Sequence, residues 1–166
     1  TRATILGVAI EGASQILLVD TPGIFTPKKR LDRAMVQAAL EGANDADIIA
    51  LVIDGKAGLG AKIEPLIAML KHRQGTKILI VTKVDIAVKE RLLPHVKSLY
   101  EQIDFAETWF VSSTNGDGIN ELKQGLGTMM PQGEWHFPEE QISTASERLM
   151  AAELTREQLY LQLHAE

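Results

Sequence analysis

Hydrophobic and polar positions alternate along the chain in the pattern of an α/β domain. Two apolar runs, 3–10 and 15–19, flank a polar segment at 11–14, which predicts an antiparallel hairpin. Beyond it, short β-branched runs alternate with segments whose apolar residues recur at helical spacing. This order predicts an α/β fold with a mostly parallel sheet covered by helices on both faces.

The further elements follow from the same periodicity. Pro94 falls inside one predicted helix, and we expect the helix to restart there, with proline in the first turn. The predicted strands are 48–53, 77–81 and 108–112, and the predicted helices are 31–42, 62–72, 90–103 and 118–130.

The last part of the chain departs from this alternation. Residues 131–138 contain two prolines and are predicted to be a linker. Thr144 and Glu147 have the spacing of a capping box, which predicts a helix from Thr144 to Glu166. Because an amphipathic helix cannot bury its apolar face alone, we expect it to begin a second domain and to be poorly ordered without the rest of that domain.

Composition narrows the classes of function. The 166 residues carry a net charge of −5, which argues against nucleic-acid binding by this segment itself. The absence of cysteine excludes disulfides and thiolate metal sites. Apolar runs are far shorter than the roughly 20 residues of a membrane-spanning helix. The 4 histidines have no spacing typical of a metal site or a catalytic triad.

Two strand ends carry the candidate chemistry. One run is followed by Asp20 and a Pro-Gly turn, whose backbone N–H groups are able to approach an anion closely. The other is followed by Lys83 and Asp85, a pair suited to flank a purine ring and accept its hydrogen bonds. Since polar residues at the carboxyl ends of buried strands open onto a ligand crevice, we expect a nucleotide site there.

These segments resemble known motifs. Asp20-Thr-Pro-Gly23 is similar to the D-x-x-G element of P-loop GTPases, and Thr82-Lys-Val-Asp85 to their N-K-x-D element. Over its whole length the chain resembles the Era family, in the TrmE-Era branch of these GTPases. The other segments that carry the resemblance are Thr1-Arg2, Ser112-Ser-Thr-Asn-Gly116, His136-Phe-Pro138 and Arg148 to Glu157.

The resemblance implies a site for GTP or GDP with Mg²⁺. Thr1 would contact Mg²⁺ directly and Asp20 through a water molecule, while the Gly23 N–H would contact the γ-phosphate. Ile24 stands where many small GTPases carry a glutamine that orients the attacking water, so we expect slow hydrolysis. The implied GTP-binding residues are Asp20, Thr21, Pro22, Gly23, Ile24, Thr82, Lys83, Val84, Asp85, Ser112, Ser113 and Thr114.

It also implies how guanine would be recognised. The Lys83 stem would cover the base, and Asp85 would accept from its N1–H and 2-amino groups. Thr82 replaces the usual asparagine, whose longer side chain would contact guanine N7, and the shorter threonine would tie the loop through its hydroxyl. Ser113 would donate its backbone N–H to guanine O6.

The implied domains are a GTP-binding domain (1–130), a linker (131–143) and the first helix of an RNA-binding KH domain (144–166). By resemblance the protein would act in ribosome assembly, binding small-subunit rRNA and the small ribosomal subunit. It would be monomeric and cytoplasmic, with peripheral association at the inner membrane as a further expectation.

No G-x-x-x-x-G-K-[ST] loop occurs in the sequence. In the family, this loop and the strand that leads into it precede Thr1 in the sequence. That strand lies in the sheet between the strands at 15–19 and 48–53. We therefore expect a piece of a longer protein, inactive alone.

Two other hypotheses remain. The chain could belong to another member of the TrmE-Era branch, such as a Der- or MnmE-like protein, although the helix at 144–166 argues against this. It could instead be a non-hydrolysing assembly or interaction module that lacks a phosphate-binding loop. Sequence preceding Thr1 and following Glu166 would discriminate among these.

Overall fold

The computed structural model describes residues 6–19, 46–59 and 63–163. The predicted helix at 31–42 lies outside these ranges. A short 3₁₀ turn, Val84–Ile86, follows the fourth strand. The strands are β1 (Leu6–Glu11), β2 (Ser14–Val19), β3 (Ile48–Asp54), β4 (Thr76–Thr82) and β5 (Glu107–Phe110). The helices are α1 (Glu64–Lys71), α2 (Lys89–Tyr100), α3 (Ile119–Met129) and α4 (Glu147–Leu163).

The described strands form two sheets. β1 and β2 make the predicted antiparallel hairpin, with Gly12 at φ 56° in its turn. β3, β4 and β5 form a parallel sheet in that order, and Asp54 at the end of β3 is in register with Thr82 at the end of β4. Within the described residues β2 and β3 are not paired with each other. The expectation that another strand lies between them stays a prediction.

Helices cover both faces of the parallel sheet. Leu79 and Val81 of β4 are fully buried, in one core with Ile67 of α1 and Leu99 of α2. The opposite face carries Ile78, which is also buried. On that face the ring of Trp109 leaves no room for a side chain at Gly125 of α3. A strand buried on both faces carries consecutive apolar residues, as β4 does at its four central positions, 78–81. The predicted α/β fold is confirmed.

Pro94 does not restart a helix. It is the sixth residue of a continuous α2 that begins at Lys89, so the expectation of a first-turn proline was wrong. Proline cannot donate a hydrogen bond to the carbonyl of Glu90, but both residues are exposed and water can satisfy that carbonyl. Burial of Leu92 and Leu99 holds the helix together across the interruption.

Thr144 does not cap the last helix. Its N–H donates to Leu6 O at 3.0 Å and its Oγ1 accepts from Leu6 N at 3.0 Å, while Ser143 forms an antiparallel bridge with Gly7. The helix therefore begins at Glu147, and Ser146 Oγ accepts from the N–H of Leu149 in the capping position. The prediction of a helix from Thr144 was wrong because β1 offers that residue two backbone partners.

The linker is docked on the hairpin rather than extended into solvent. Trp135 Nε1 donates to Ala13 O at 2.9 Å. Val8 N donates to Ile142 O at 2.9 Å, next to the bridge at Ser143. By contrast, none of the residues of α4 is buried.

Candidate functional site

The carboxyl ends of β3 and β4 are joined by two hydrogen bonds. Thr82 Oγ1 donates to Ile53 O at 3.0 Å, and Gly55 N donates to Thr82 O at 2.8 Å. A Cβ added to Gly55 would lie only 2.7 Å from Thr82 O, so a larger residue there would displace one of the two strand ends. Because Gly55 has no side chain, its backbone can approach Thr82 closely enough for this hydrogen bond, which fixes the position where the loop after β4 begins.

That loop has an unusual backbone and a firm anchor. Lys83 adopts the left-handed conformation (φ 58°, ψ 38°) and begins the 3₁₀ turn that carries Asp85. Val84 N donates to Val111 O at 3.3 Å, and Val111 N donates to Val81 O at 2.8 Å, so the loop is tied to the end of β5. Asp85 is exposed on this turn. The turn thus places a cation, Lys83, and a carboxylate, Asp85, at the carboxyl end of the parallel sheet.

The segment after β5 closes into a compact loop. Ser112 is fully buried; its N–H donates to Asp117 O and its carbonyl accepts from Gly116 N, both at 2.9 Å. Ser112 Oγ accepts from Thr114 N at 3.3 Å. Ser113 and Thr114 are exposed at the rim of the loop. The hydrogen bonds of the buried Ser112 therefore fix the backbone from which Ser113 and Thr114 extend into solvent.

Asp54 is the acidic partner of Lys83. Lys83 Nζ donates to Asp54 Oδ2 at 2.7 Å, while Asp54 Oδ1 accepts from the N–H groups of Lys56 at 2.9 Å and Ala57 at 3.0 Å. The hydrogen bond from Lys83, helped by those from the two backbone groups, lowers the pKa of Asp54 below its ordinary value of 3.8. Both oxygens of this carboxylate are therefore held in place.

The sequence hypothesis missed Asp54. Asp54 directly follows the predicted strand 48–53, and an acidic residue at the carboxyl end of a neighbouring parallel strand is itself a signal.

Part of the predicted site is brought together. Residues 82–85 and 112–114 lie on loops joined by the hydrogen bond between Val84 and Val111. The hydroxyl of Thr82 ties its loop to β3, and since a hydroxyl has one proton it cannot at the same time donate to a ring nitrogen such as guanine N7. The roles of these residues toward a ligand stay predictions. Thr1, Asp20, Thr21, Pro22, Gly23 and Ile24 lie outside the described residues.

Metal and membrane features are absent from the part of the chain that the structure describes. Within it, no group of three or more His, Cys, Asp or Glu side chains is placed to hold a metal ion. None of its helices is long and apolar enough to span a membrane.

Comparison with known proteins decides the family. A family model described as "Ethanolamine utilisation - propanediol utilisation" (PduV-EutP) matches residues 8–128, well over half of the chain, and places the α/β domain in that family. The protein "GTPase Era" of Erythrobacter litoralis is 52% identical over 170 residues, an alignment that covers 100% of this chain and 56% of that protein. Over its whole length, the chain belongs to the Era GTPase family.

Solved Era structures have the same fold. A crystal structure of Era in complex with MgGDPNP and nucleotides 1506–1542 of 16S ribosomal RNA superposes with a TM-score of 0.80 at 32% identity, covering 95% of this chain and 54% of that one. A variant of Aquifex aeolicus Era bound to GDP·AlF₄⁻ gives 0.73 at 31% identity, covering 97% and 56%. This chain spans about half the length of the curated Era relatives it matches, 54–56% in the first of them.

Proposed function

We propose that the protein containing this chain is a ribosome-assembly GTPase. It binds GTP or GDP with Mg²⁺, hydrolyses GTP slowly, and binds small-subunit rRNA and the small ribosomal subunit. The observation that carries the proposal is the Lys83–Asp85 turn at the carboxyl end of β4, held between the ends of β3 and β5, in a chain of the Era family.

Guanine selection follows from the chemistry of that turn. Asp85 is exposed, and a carboxylate offers two acceptor oxygens side by side. Guanine presents two adjacent donors, the N1–H and the 2-amino group, whereas adenine presents an acceptor at N1. A paired charge-assisted contact of this kind is roughly twice as strong as one between neutral groups. Asp85 therefore selects guanine over adenine.

The metal and the γ-phosphate belong to residues outside the described ranges. Thr1 and Asp20 bring hydroxyl and carboxylate oxygens, the hard donors that Mg²⁺ prefers. Bound there, Mg²⁺ would neutralise charge that develops on the phosphates. Ile24 has no polar group with which to orient a water molecule, which supports slow hydrolysis.

RNA binding is assigned to a domain beyond the GTP-binding one. A chain with a net charge of −5 attracts RNA phosphates poorly. We therefore assign RNA contacts to a KH domain in which α4 is the first helix, after a GTP-binding domain at 1–130 and a linker at 131–143. The solved Era complex with MgGDPNP and 16S rRNA nucleotides supports both ligands. A monomeric state and a cytoplasmic location, with peripheral association at the inner membrane, complete the proposal.

The test is a change of base specificity in the full-length protein. Asp85→Asn should weaken GTP binding about a hundredfold, because it removes a charge-assisted bidentate acceptor worth on the order of 2–4 kcal/mol. It should strengthen binding of xanthosine triphosphate, whose position 2 carries a carbonyl that the new amide can donate to. Competition binding of both nucleotides to the wild type and the variant measures the two effects.

Asp104→Asn is the matched control, since Asp104 is an exposed carboxylate distant in sequence from the loop. It should leave both affinities unchanged. If Asp85→Asn keeps its GTP affinity within a few-fold, Asp85 does not recognise guanine. A parallel measurement with an RNA of 16S nucleotides 1506–1542, as in the solved Era complex, tests the second ligand: no binding of this RNA to the full-length protein would refute the proposed rRNA interaction.

A further inference from the structure

The side chain of Lys83 is held on one side of its loop by a single carboxylate. Its Nζ lies 2.7 Å from Asp54 Oδ2, although 57% of the lysine side chain is exposed. An exposed lysine without such a partner samples many rotamers, because its four torsions are free. The ion pair fixes the direction in which the aliphatic stem of Lys83 leaves the backbone.

The carboxylate is itself immobile for two independent reasons. Its second oxygen is occupied by the N–H groups of Lys56 and Ala57, which fix the side-chain torsions of Asp54. The backbones of the two partners are in register as the pair Asp54 and Thr82, and Thr82 hydrogen-bonds to both Ile53 and Gly55. The carboxylate and the backbones that carry the two side chains are therefore held in place, and the ion pair is the contact that holds the Lys83 ammonium.

We propose that Asp54 is a positioning residue for the nucleotide base: by holding the Lys83 ammonium, it lays the methylene stem of Lys83 out as a preformed surface on which a flat guanine ring stacks. This rests on the proposed function, in which Lys83 and Asp85 flank the base. Asp54 contacts the lysine and not the base. Its effect is to remove before binding the rotamer freedom that Lys83 would otherwise lose on binding.

The inference predicts a specific dependence of affinity on the pair. In the full-length protein, Asp54→Ala should weaken GDP binding roughly two- to fivefold, the scale expected when a solvent-exposed ion pair orders one long side chain before binding. Asp54→Asn keeps an oxygen that can accept from Lys56 and Ala57 but loses the charge that holds Lys83. Its GDP affinity should therefore be nearly as low as that of Asp54→Ala. Asp54→Glu retains the charge and should recover part of the affinity.

A double-mutant cycle separates positioning from a general effect on the loop. Asp54→Ala should have no further effect on GDP affinity in a Lys83→Ala background, because its action runs through that lysine. Asp104→Ala, at an exposed aspartate outside the site, is the control and should change nothing. The ammonium group of Lys83 provides a readout without nucleotide: its NMR signal should be slow to exchange in the wild type and lost in Asp54→Asn.

Three results would overturn the proposal. Asp54→Asn binding GDP as tightly as the wild type would show that the ion pair does not prepare the site, and tighter binding would show that it must break before the base enters. An effect of Asp54→Ala that persists in full without Lys83 would assign Asp54 to the loop backbone instead. If the full-length wild type binds no guanine nucleotide, the proposed function fails as well, which the wild-type measurement alone reveals.

Discussion

The side-chain amide of Gln15 pairs with the backbone of Phe137 as a neighbouring strand would. Its Nε2 donates to Phe137 O at 2.8 Å, and its Oε1 accepts from Phe137 N at 3.0 Å. The same Oε1 also accepts from His136 N at 2.9 Å. One side chain on β2 thus satisfies three backbone groups of the linker, which fastens the segment before α4 to the hairpin.

Replacing that amide should release the linker. Gln15→Ala removes all three hydrogen bonds and should lower the free energy of unfolding by about 1–3 kcal/mol, since backbone groups in the linker lose their partners. Hydrogen exchange should accelerate at the amides of His136 and Phe137, and denaturant unfolding gives the stability. Gln124→Ala, at an exposed glutamine on α3, is the control and should alter neither. Unchanged exchange at His136 and Phe137 would mean that other contacts hold the linker.

Because Gly55 lies so close to Thr82, we expect a single methyl group added at Gly55 to destabilise the protein. A Cβ at Gly55 would lie 2.7 Å from Thr82 O and 3.3 Å from Val81 Cγ1, so Gly55→Ala forces a backbone shift. We expect a loss of about 1–3 kcal/mol in the free energy of unfolding, as for other overpacked sites. GDP affinity of the full-length protein should fall too, because Lys83 follows Thr82 directly.

Gly133→Ala is the matched control for this substitution. Nothing lies within 4 Å of a Cβ added at Gly133, so stability and affinity should stay as in the wild type. Equal stability of the two variants would show that the ends of β3 and β4 separate easily.

Asp54 should titrate below its ordinary range in the folded protein. Lys83 lowers its pKa below 3.8, so the ion pair contributes stability above that value and loses the contribution as pH falls through the native pKa. In a carbon-detected NMR titration of the Asp54 carboxyl, Lys83→Met should move the midpoint upward towards 3.8. It should not remove the whole shift, since Lys56 and Ala57 still donate.

The control for the titration is Lys97→Met, which removes a lysine of α2 that does not contact Asp54. The Asp54 midpoint should then match that of the wild type. Identical midpoints in the wild type and Lys83→Met would mean that the ion pair does not persist in solution.

Pro94 should be replaceable with a gain in stability. Proline inside a helix costs up to about 3 kcal/mol relative to alanine, although it also restricts the unfolded chain by roughly 0.4–1 kcal/mol. Because Pro94 is exposed, Pro94→Ala loses little packing and should raise the free energy of unfolding by about 1–2 kcal/mol. Urea unfolding tests this, with Lys97→Ala on the same helix as the control. A decrease would show that the proline ring packs productively.

Local patterns were sufficient for most of the fold. The hairpin, and strands such as β4 at Thr76–Thr82 against the predicted 77–81, follow from runs of apolar residues that end in polar ones. These signals lie within a few positions of each other, so periodicity detects them. The Thr82–Asp85 motif was found for the same reason, since its residues are adjacent in the sequence and need no knowledge of distant partners.

Distant partners account for what the sequence did not reveal. Asp54 and Lys83 are separated by 29 positions, Gln15 and Phe137 by 122, and Leu6 and Thr144 by 138. No local pattern specifies which of many polar side chains meets which backbone group across such a separation. Thr144 shows the consequence directly, because the hydroxyl expected to cap its own helix instead pairs with β1.

The pairing of residues 142–144 with the outer edge of β1 also sets a mechanical route through the molecule. A pull on α4 is transmitted along residues 144–146 to Leu6, Gly7 and Val8, and from there to the hairpin. Force would therefore load the hairpin before it reached α3, although α3 is the element nearer to α4 in the sequence. A load applied to the last helix would be felt first by β1 and its partner strand.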